Sequence, residues 1–412
     1  MKSMKLVSLS GVAAACLLAL VNPAAAADDV DITLKDGGFK VKSGGNEFKI
    51  GGKLQLDYVN FGDDTLENGG LLDDGANNRR AHLEFAAKLG EEWEMKYERD
   101  FVANVTKDAF LKYNGFGPGS LTVGQTKSPI GLEELTSDSW VSYMERSQPT
   151  NAFIDANAYK LGLVYGGTGD MFGAWGAVQF DAIDDKKAGG DDPTVYTGRV
   201  IFSPVHTSDT AFHVGLGYQY SDLKDSDTLK TAGDAKSGTV ASFSGRTDLR
   251  NDSTATLFTS GTLSAESVAT SNFEIAGVMG PFSASAEYFK AKTSGVDANP
   301  DYDLDGWYVE GSYFISGGNR NYKFKDGKFD RPNVTKGAWE IAARYSNIDL
   351  TDALNSTNKR AGDVDTVTVA LNYYANRAIK IGFDYTQSDA DFDNLSADED
   401  VSAFGVRAQF AF

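Results

Sequence analysis

The chain has 412 residues, a single cysteine, and 58 acidic against 39 basic side chains, for a formal net charge of −19. That balance opposes a polyanionic partner, so nucleic acid is excluded. One cysteine excludes a disulfide framework, and no later segment is long and apolar enough to read as a membrane-spanning helix.

The first residues, MKSMKLVSLSGVAAACLLALVNPAAAADD, carry two lysines, a short apolar run and a run of small residues. This is the pattern of a secretory signal peptide, expected over 1–27 with cleavage before Ala27 or Asp28. Cys16 lies inside the apolar run and leaves with it. Residues 28–46 read as a short polar, periplasmic segment.

From residue 47 onward the chain reads as strands. FKIGGKLQLDY places Phe48, Ile50, Leu54, Leu56 and Tyr58 on one face. WEMKYERDF alternates Trp93, Met95, Tyr97 and Phe101 with Glu94, Lys96, Glu98 and Asp100. GWYVEGSYFI, AWEIAARYS, TVTVALNYY and IKIGFDYTQ repeat the period of two. The final VSAFGVRAQFAF puts Phe404, Phe410 and Phe412 on one face with Arg407 on the other. A terminal aromatic strand of this kind is the form of an outer-membrane insertion signal, read by the barrel-assembly machinery.

Connections fall into two classes, as in a transmembrane barrel. Short ones lie at 90–92, 115–119, 166–170, 280–281 and 375–377. Long ones lie at 62–77, 128–157, 182–193, 223–270, 292–304, 348–363 and 390–400. Placing the run 239–250 inside a long loop leaves sixteen strands, and 316–335 then reads as an unusually long periplasmic turn. The expected fold is all-β: a 16-stranded antiparallel transmembrane barrel over 47–412, wide enough for an aqueous channel.

Alternation turns near-equal numbers of basic and acidic residues inward. The long third loop, 128–157, carries Glu133, Glu134, Asp138, Glu145 and Asp155 against Arg146. Carboxylates there favour cations unless arginines across the lumen pair with them. The expected anion-facing set is Arg79, Arg80, Lys127, Arg146, Arg199 and Arg344, because a guanidinium fork matches two oxygens of a phosphate.

An outer-membrane hydrolase needs a serine beside a histidine. Only His82, His206 and His213 exist, and no serine lies locally on their inward faces. Asp301, Asp303 and Asp305 imitate the first half of a calcium loop, but Ser312 stands where its closing glutamate belongs. No cofactor is expected.

Several stretches resemble the phosphate-selective porin O/P family. They are NRRAHLEFAAKLGEEWEMKYERDF, LTVGQTKSPIGLEELTSDSWVSYMERS, GPFSASAEYFKA, GWYVEGSYFISGGNRNYKF and GAWEIAARYSNIDL, in matching order from about Phe48 to Phe412. The resemblance implies a homotrimeric porin of the Gram-negative outer membrane, with its third loop folded inward and a preference for phosphate or other anions. It would lie among lipid and lipopolysaccharide. Two departures stand out. The family's ladder of arginines has no counterpart in 223–270, which holds Lys224, Lys230, Lys236, Arg246 and Arg250 among aspartates. Ile315-Ser316-Gly317-Gly318 stands where the family has Leu-Thr-Gly followed by Glu. A general or cation-leaning porin of the same frame is therefore the alternative, with a non-conducting barrel or hydrolase behind it.

Overall fold

The computed structural model describes residues 30–35, 38–67, 69–154, 158–184, 192–223, 240–251, 254–296, 298–355, 359–393 and 397–412. The expected signal peptide, Asp155, Lys224, Lys230 and Lys236 lie outside them.

A hairpin of β1 (Asp31–Lys35) and β2 (Gly38–Ser43) comes first. The barrel strands follow: β3 (Asn46–Phe61), β4 (Gly75–Leu89), β5 (Trp93–Asp100), β6 (Val105–Phe116), β7 (Gly119–Lys127), β8 (Tyr159–Thr168), β9 (Phe172–Phe180) and β10 (Thr194–His206). Then come β11 (Thr210–Asp222), β12 (Leu263–Met279), β13 (Phe282–Gly295), β14 (Tyr302–Lys323), β15 (Lys328–Asp349), β16 (Asp363–Tyr374), β17 (Ile379–Asp391) and β18 (Glu399–Ala411). Each pairs antiparallel with the next, and β18 pairs back to β3 from Ala403↔Phe61 to Ala411↔Lys53. The sheet is a closed barrel of sixteen strands, β3 to β18, which leaves no free edge. Beyond the end of β18, β2 takes its place beside β3, from Phe39↔Ile50 to Ser43↔Asn46. The run at 239–250 makes only two-residue ladders at 240–241 and 244–245, inside the long loop.

The period of two sorts side chains as the sequence suggests. On β16, Val367, Val369 and Leu371 are exposed, while Thr366, Thr368 and Asn372 are buried. On β18, Phe404 and Phe410 face out and Arg407 and Gln409 face in. So many exposed apolar side chains in one band would be a liability in water. They form the surface that a barrel presents to lipid. The terminus closes the last strand: Phe412 N donates to Gly52 O at 2.9 Å, and Gly52 N donates to Phe412 O at 3.1 Å.

One connection differs from expectation. Residues 316–335 are not a long turn; β14 and β15 run on as paired strands to a tip at Phe324–Gly327. Register shifts lie near Ser316, and Gly317 and Gly337 adopt φ values of 65° and 81°, a bend that other residues resist. The bend turns the hairpin onto the inner wall. Tyr322 Oη lies 2.6 Å from His213 Nδ1, Phe324 stacks on His206 at 4.0 Å, and Arg199 donates to Gly327 O at 2.7 Å. The three aromatics Tyr322, Phe324 and Phe329 were the available signal, since an ordinary solvated turn has no use for them.

Candidate functional site

The site begins with segment 128–154, which joins β7 to β8. Its residues are nearly all buried, and they touch inward faces on widely separated strands. Ile130 packs on Gly217 of β11, where an added Cβ would come within 2.8 Å. Met144 packs on Gly405 of β18, where one would meet its sulfur at 2.9 Å. A side chain at either glycine would push the segment away.

Inward carboxylates hold this segment by its backbone and hydroxyls. Glu287 on β13 accepts from Leu132 N at 2.8 Å and Glu133 N at 2.7 Å. Asp384 on β17 accepts from Met144 N at 2.7 Å. Glu340 on β15 accepts from Ser142 Oγ at 2.8 Å. Glu287, Glu340 and Asp384 are thus spent as anchors. Each carboxyl oxygen satisfies a donor that burial would otherwise orphan.

The four acids of the segment are paired as well. Glu133 meets Arg344 at 3.0 Å. Glu134 pairs with Lys127 and with Arg146, the latter at 3.3 Å. Asp138 pairs with Lys53 and with Arg80, the latter at 2.9 Å. Glu145 gathers Arg79 at 2.9 Å, Arg80 at 3.0 Å, Arg407 at 2.9 Å and Arg250 at 3.4 Å. Burial works against the Glu145 carboxylate, but the surrounding arginines outweigh it and hold the group well below the usual carboxylate range. Asp138 behaves alike: burial pushes it up, and Lys53 and Arg80 pull it well below that range.

What stays open is a passage along the other half of the wall. One cavity of about 580 Å³ extends from Asp100 and Ala103, at the long-loop end, to Ser120 and Gly166 near the short turns. A second, of about 680 Å³, opens beside Phe39, Arg377 and Phe412. They share Lys53, Lys96, Glu98, Ser137 and Lys323. Among the described residues the first cavity is lined by eleven Lys or Arg and six Asp or Glu, and the second by seven and three. In a chain whose net charge is negative, the passage is basic.

The expected anion-facing residues divide accordingly. Arg79, Arg80, Lys127 and Arg146 border the first cavity. Arg199 reaches its edge but is buried, bound to Glu274 at 2.5 Å and stacked 5.7 Å from the Trp175 ring. Arg344 lies away from it, clamped between Glu133 and Asp248. Lys323 and Lys328, from the hairpin read as a turn, line the passage and escaped the sequence reading.

The other sequence candidates have local partners. His82 sits 2.7 Å from Glu98 and 3.0 Å from Asp100, and His213 lies 2.9 Å from Glu274. Asp301 accepts from Gly295 N, and Asp303 pairs with Lys292 at 3.0 Å and Lys290 at 3.6 Å. Among the described residues no group of three or more His, Cys, Asp or Glu side chains is arranged so that it could hold a metal ion.

Comparison with known proteins gives the same frame. The family described as "Phosphate-selective porin O and P" matches residues 48–412. Porin O of Pseudomonas aeruginosa is 31% identical, over 98% of this chain and 99% of its own. Among solved structures, the outer-membrane protein OmpT of Vibrio cholerae with loop L8 deleted superposes with a TM-score of 0.55 at 15% identity. That match covers 90% of this chain and 100% of the other. The anion-selective porin from Comamonas acidovorans superposes with a TM-score of 0.53 at 11% identity, over 89% and 100%. These structural likenesses concern the fold, whereas the family match extends through the passage-lining strands. The chain therefore belongs to the phosphate-selective porin O and P family and is a porin of the bacterial outer membrane.

Proposed function

We propose that the pore prefers anions and that phosphate is among them. The observation that carries this is the division of charge. Acids of segment 128–154, with Glu287, Glu340 and Asp384 of the wall, are engaged in holding that segment, and the open passage is left with an excess of lysine and arginine. Charge lining a narrow path sets its selectivity. In this reading segment 128–154 is the inward-folded third loop and forms the constriction. Arg79, Arg80, Lys127 and Arg146 then act as the upper anion contacts, while Lys53, Lys323 and Lys328 act lower down. Arg199 and Arg344 serve as braces for the loop and hairpin.

The description of the family that matches this chain, phosphate-selective porin O and P, supports phosphate as a substrate. The arrangement needs neither cofactor nor catalysis, since diffusion down a gradient suffices. We further propose that residues 1–27 are removed on export, that 47–412 is one barrel domain, and that three copies assemble in a membrane of lipid and lipopolysaccharide. Phe404, Phe410 and Phe412 would present the insertion signal to the assembly machinery.

The test is block of chloride current by inorganic phosphate. Millimolar phosphate should reduce the chloride conductance of the wild type, and Lys53→Gln combined with Lys323→Gln should weaken that block. A chloride current indifferent to phosphate would reduce the proposal to a general anion pore. A cation-selective current would overturn it.

A further inference from the structure

The infolded hairpin does more than occupy space. Arg320, on β14 beyond the bend, is 4% exposed and reaches segment 128–154 with one nitrogen. Its Nη1 donates to Trp140 O at 2.9 Å and to Ser142 Oγ at 2.8 Å. Phe329 supports the guanidinium at 4.5 Å. Arg331, on the returning strand, stacks 4.6 Å from the Trp140 ring. Trp140 is therefore gripped twice by the hairpin, once at its carbonyl and once at its ring.

The neighbours of Trp140 are held by two other strands, β17 and β18. Ser139 O accepts from Gln409 Nε2 at 3.1 Å, and Val141 O accepts from Lys380 Nζ at 3.1 Å. Two residues before Trp140 stands Asp138, whose carboxylate is bound by Lys53 and Arg80 where the two cavities meet. The stretch 137–140 borders both cavities.

We infer that Arg320 is a positioning residue for selectivity: it fixes residues 138–142 from the short-turn side so that Asp138 stays paired with Lys53 and Arg80. This rests on the reading that the basic passage is the conducting path. Without Arg320 the Trp140 carbonyl and the Ser142 hydroxyl lose a charged donor in a buried place, and a buried acceptor without a donor moves to find one. A salt bridge of 2.9 Å does not survive a displacement of its loop by ~1–2 Å, because hydrogen-bond geometry fails beyond ~3.5 Å. The released carboxylate then faces the passage as a free negative charge. The hairpin of the short-turn side thus controls the charge presented by a loop that starts from the other side.

The experiment uses the full-length protein in planar bilayers and reads the reversal potential in a KCl gradient. Arg320→Met should shift it toward the cation side. Made in an Asp138→Asn background, Arg320→Met should leave the reversal potential of that background unchanged, because the carboxylate transmits the shift; such non-additivity marks coupled residues and is not produced by general loosening. A wild-type reversal potential in Arg320→Met overturns the inference. So does an equal shift when Arg320→Met is made in the Asp138→Asn background. If Arg320→Met does not assemble, Arg320→Lys, which keeps the charge and loses the geometry, should give a smaller shift of the same sign, and no shift would overturn the idea. An anion-selective wild type with unmoved variants condemns only the role of Arg320. A wild type without current condemns the conducting path as well.

Discussion

Asp138→Asn is the most informative single change. It removes one negative charge at the junction of the two cavities and leaves Lys53 and Arg80 to present theirs. Arg80 keeps Glu145 as a partner, so the wall is not stripped of all pairing. Asp138 borders the first cavity, so an ion in that cavity comes close to it. One unit charge at ~4 Å in bulk-like water is worth about 1 kcal/mol, and more where the lining excludes water. Since about 1.4 kcal/mol is tenfold, about 1 kcal/mol corresponds to roughly a fivefold gain in anion occupancy. The assay is the reversal potential under a KCl gradient at low and high salt. The shift should run toward stronger anion selectivity and should shrink at 1 M salt, where the screening length falls to about 3 Å. An unchanged reversal potential, or a shift toward cations, would refute the argument that Asp138 offsets basic charge in the conducting path.

Other consequences are as definite. Glu145→Gln strips four arginines of a shared buried partner; breaking such pairing costs about 3–5 kcal/mol, so the barrel should unfold at a lower temperature in a heat-modifiability assay. The pH dependence follows from the folded-state pKa of Glu145 lying well below its ordinary value. A depressed carboxylate contributes stability above its unfolded pKa and loses it as pH falls through the folded one. The segment should therefore remain docked at pH 4, and Trp140 fluorescence should change only in stronger acid; a transition between pH 4 and 5 would contradict this. Val367→Arg, on the lipid face of β16, should cost about 2–4 kcal/mol in a folding titration, against almost nothing for Val367→Leu. Removing Phe412 deletes two backbone hydrogen bonds to Gly52 and the last aromatic of the strand, and should lower the yield of assembled barrel in vesicles.

The frame was legible because it rests on local pattern. Alternation in Trp93–Asp100 or Val401–Phe412 needs no knowledge of the rest of the chain, and short and long connections identify the two ends. The infolded hairpin was hidden by Gly317, Gly318, Asn319, Asn321 and Pro332, which read as turn residues although Tyr322, Phe324 and Phe329 argue for packing. The charge division was hidden for a different reason. Alternation says that Glu287, Glu340, Lys53 and Lys96 all point inward, but not which of them meet segment 128–154 and which meet the passage. Glu145 is gathered with Arg407 across 262 residues of sequence, and Ser142 meets Glu340 across 198. Such pairings depend on closure of the barrel, which no local window contains. The arginines that the sequence reading required as partners for the loop acids are supplied by those same long-range contacts.

The most direct test of the central claim is single-channel recording of the purified wild-type protein in a planar bilayer, with the reversal potential taken in a KCl gradient. The division of charge predicts discrete conductance steps and a reversal potential on the chloride side. Steps that reverse on the potassium side would mean that the carboxylates, and not the lysines and arginines bordering the passage, govern the pore.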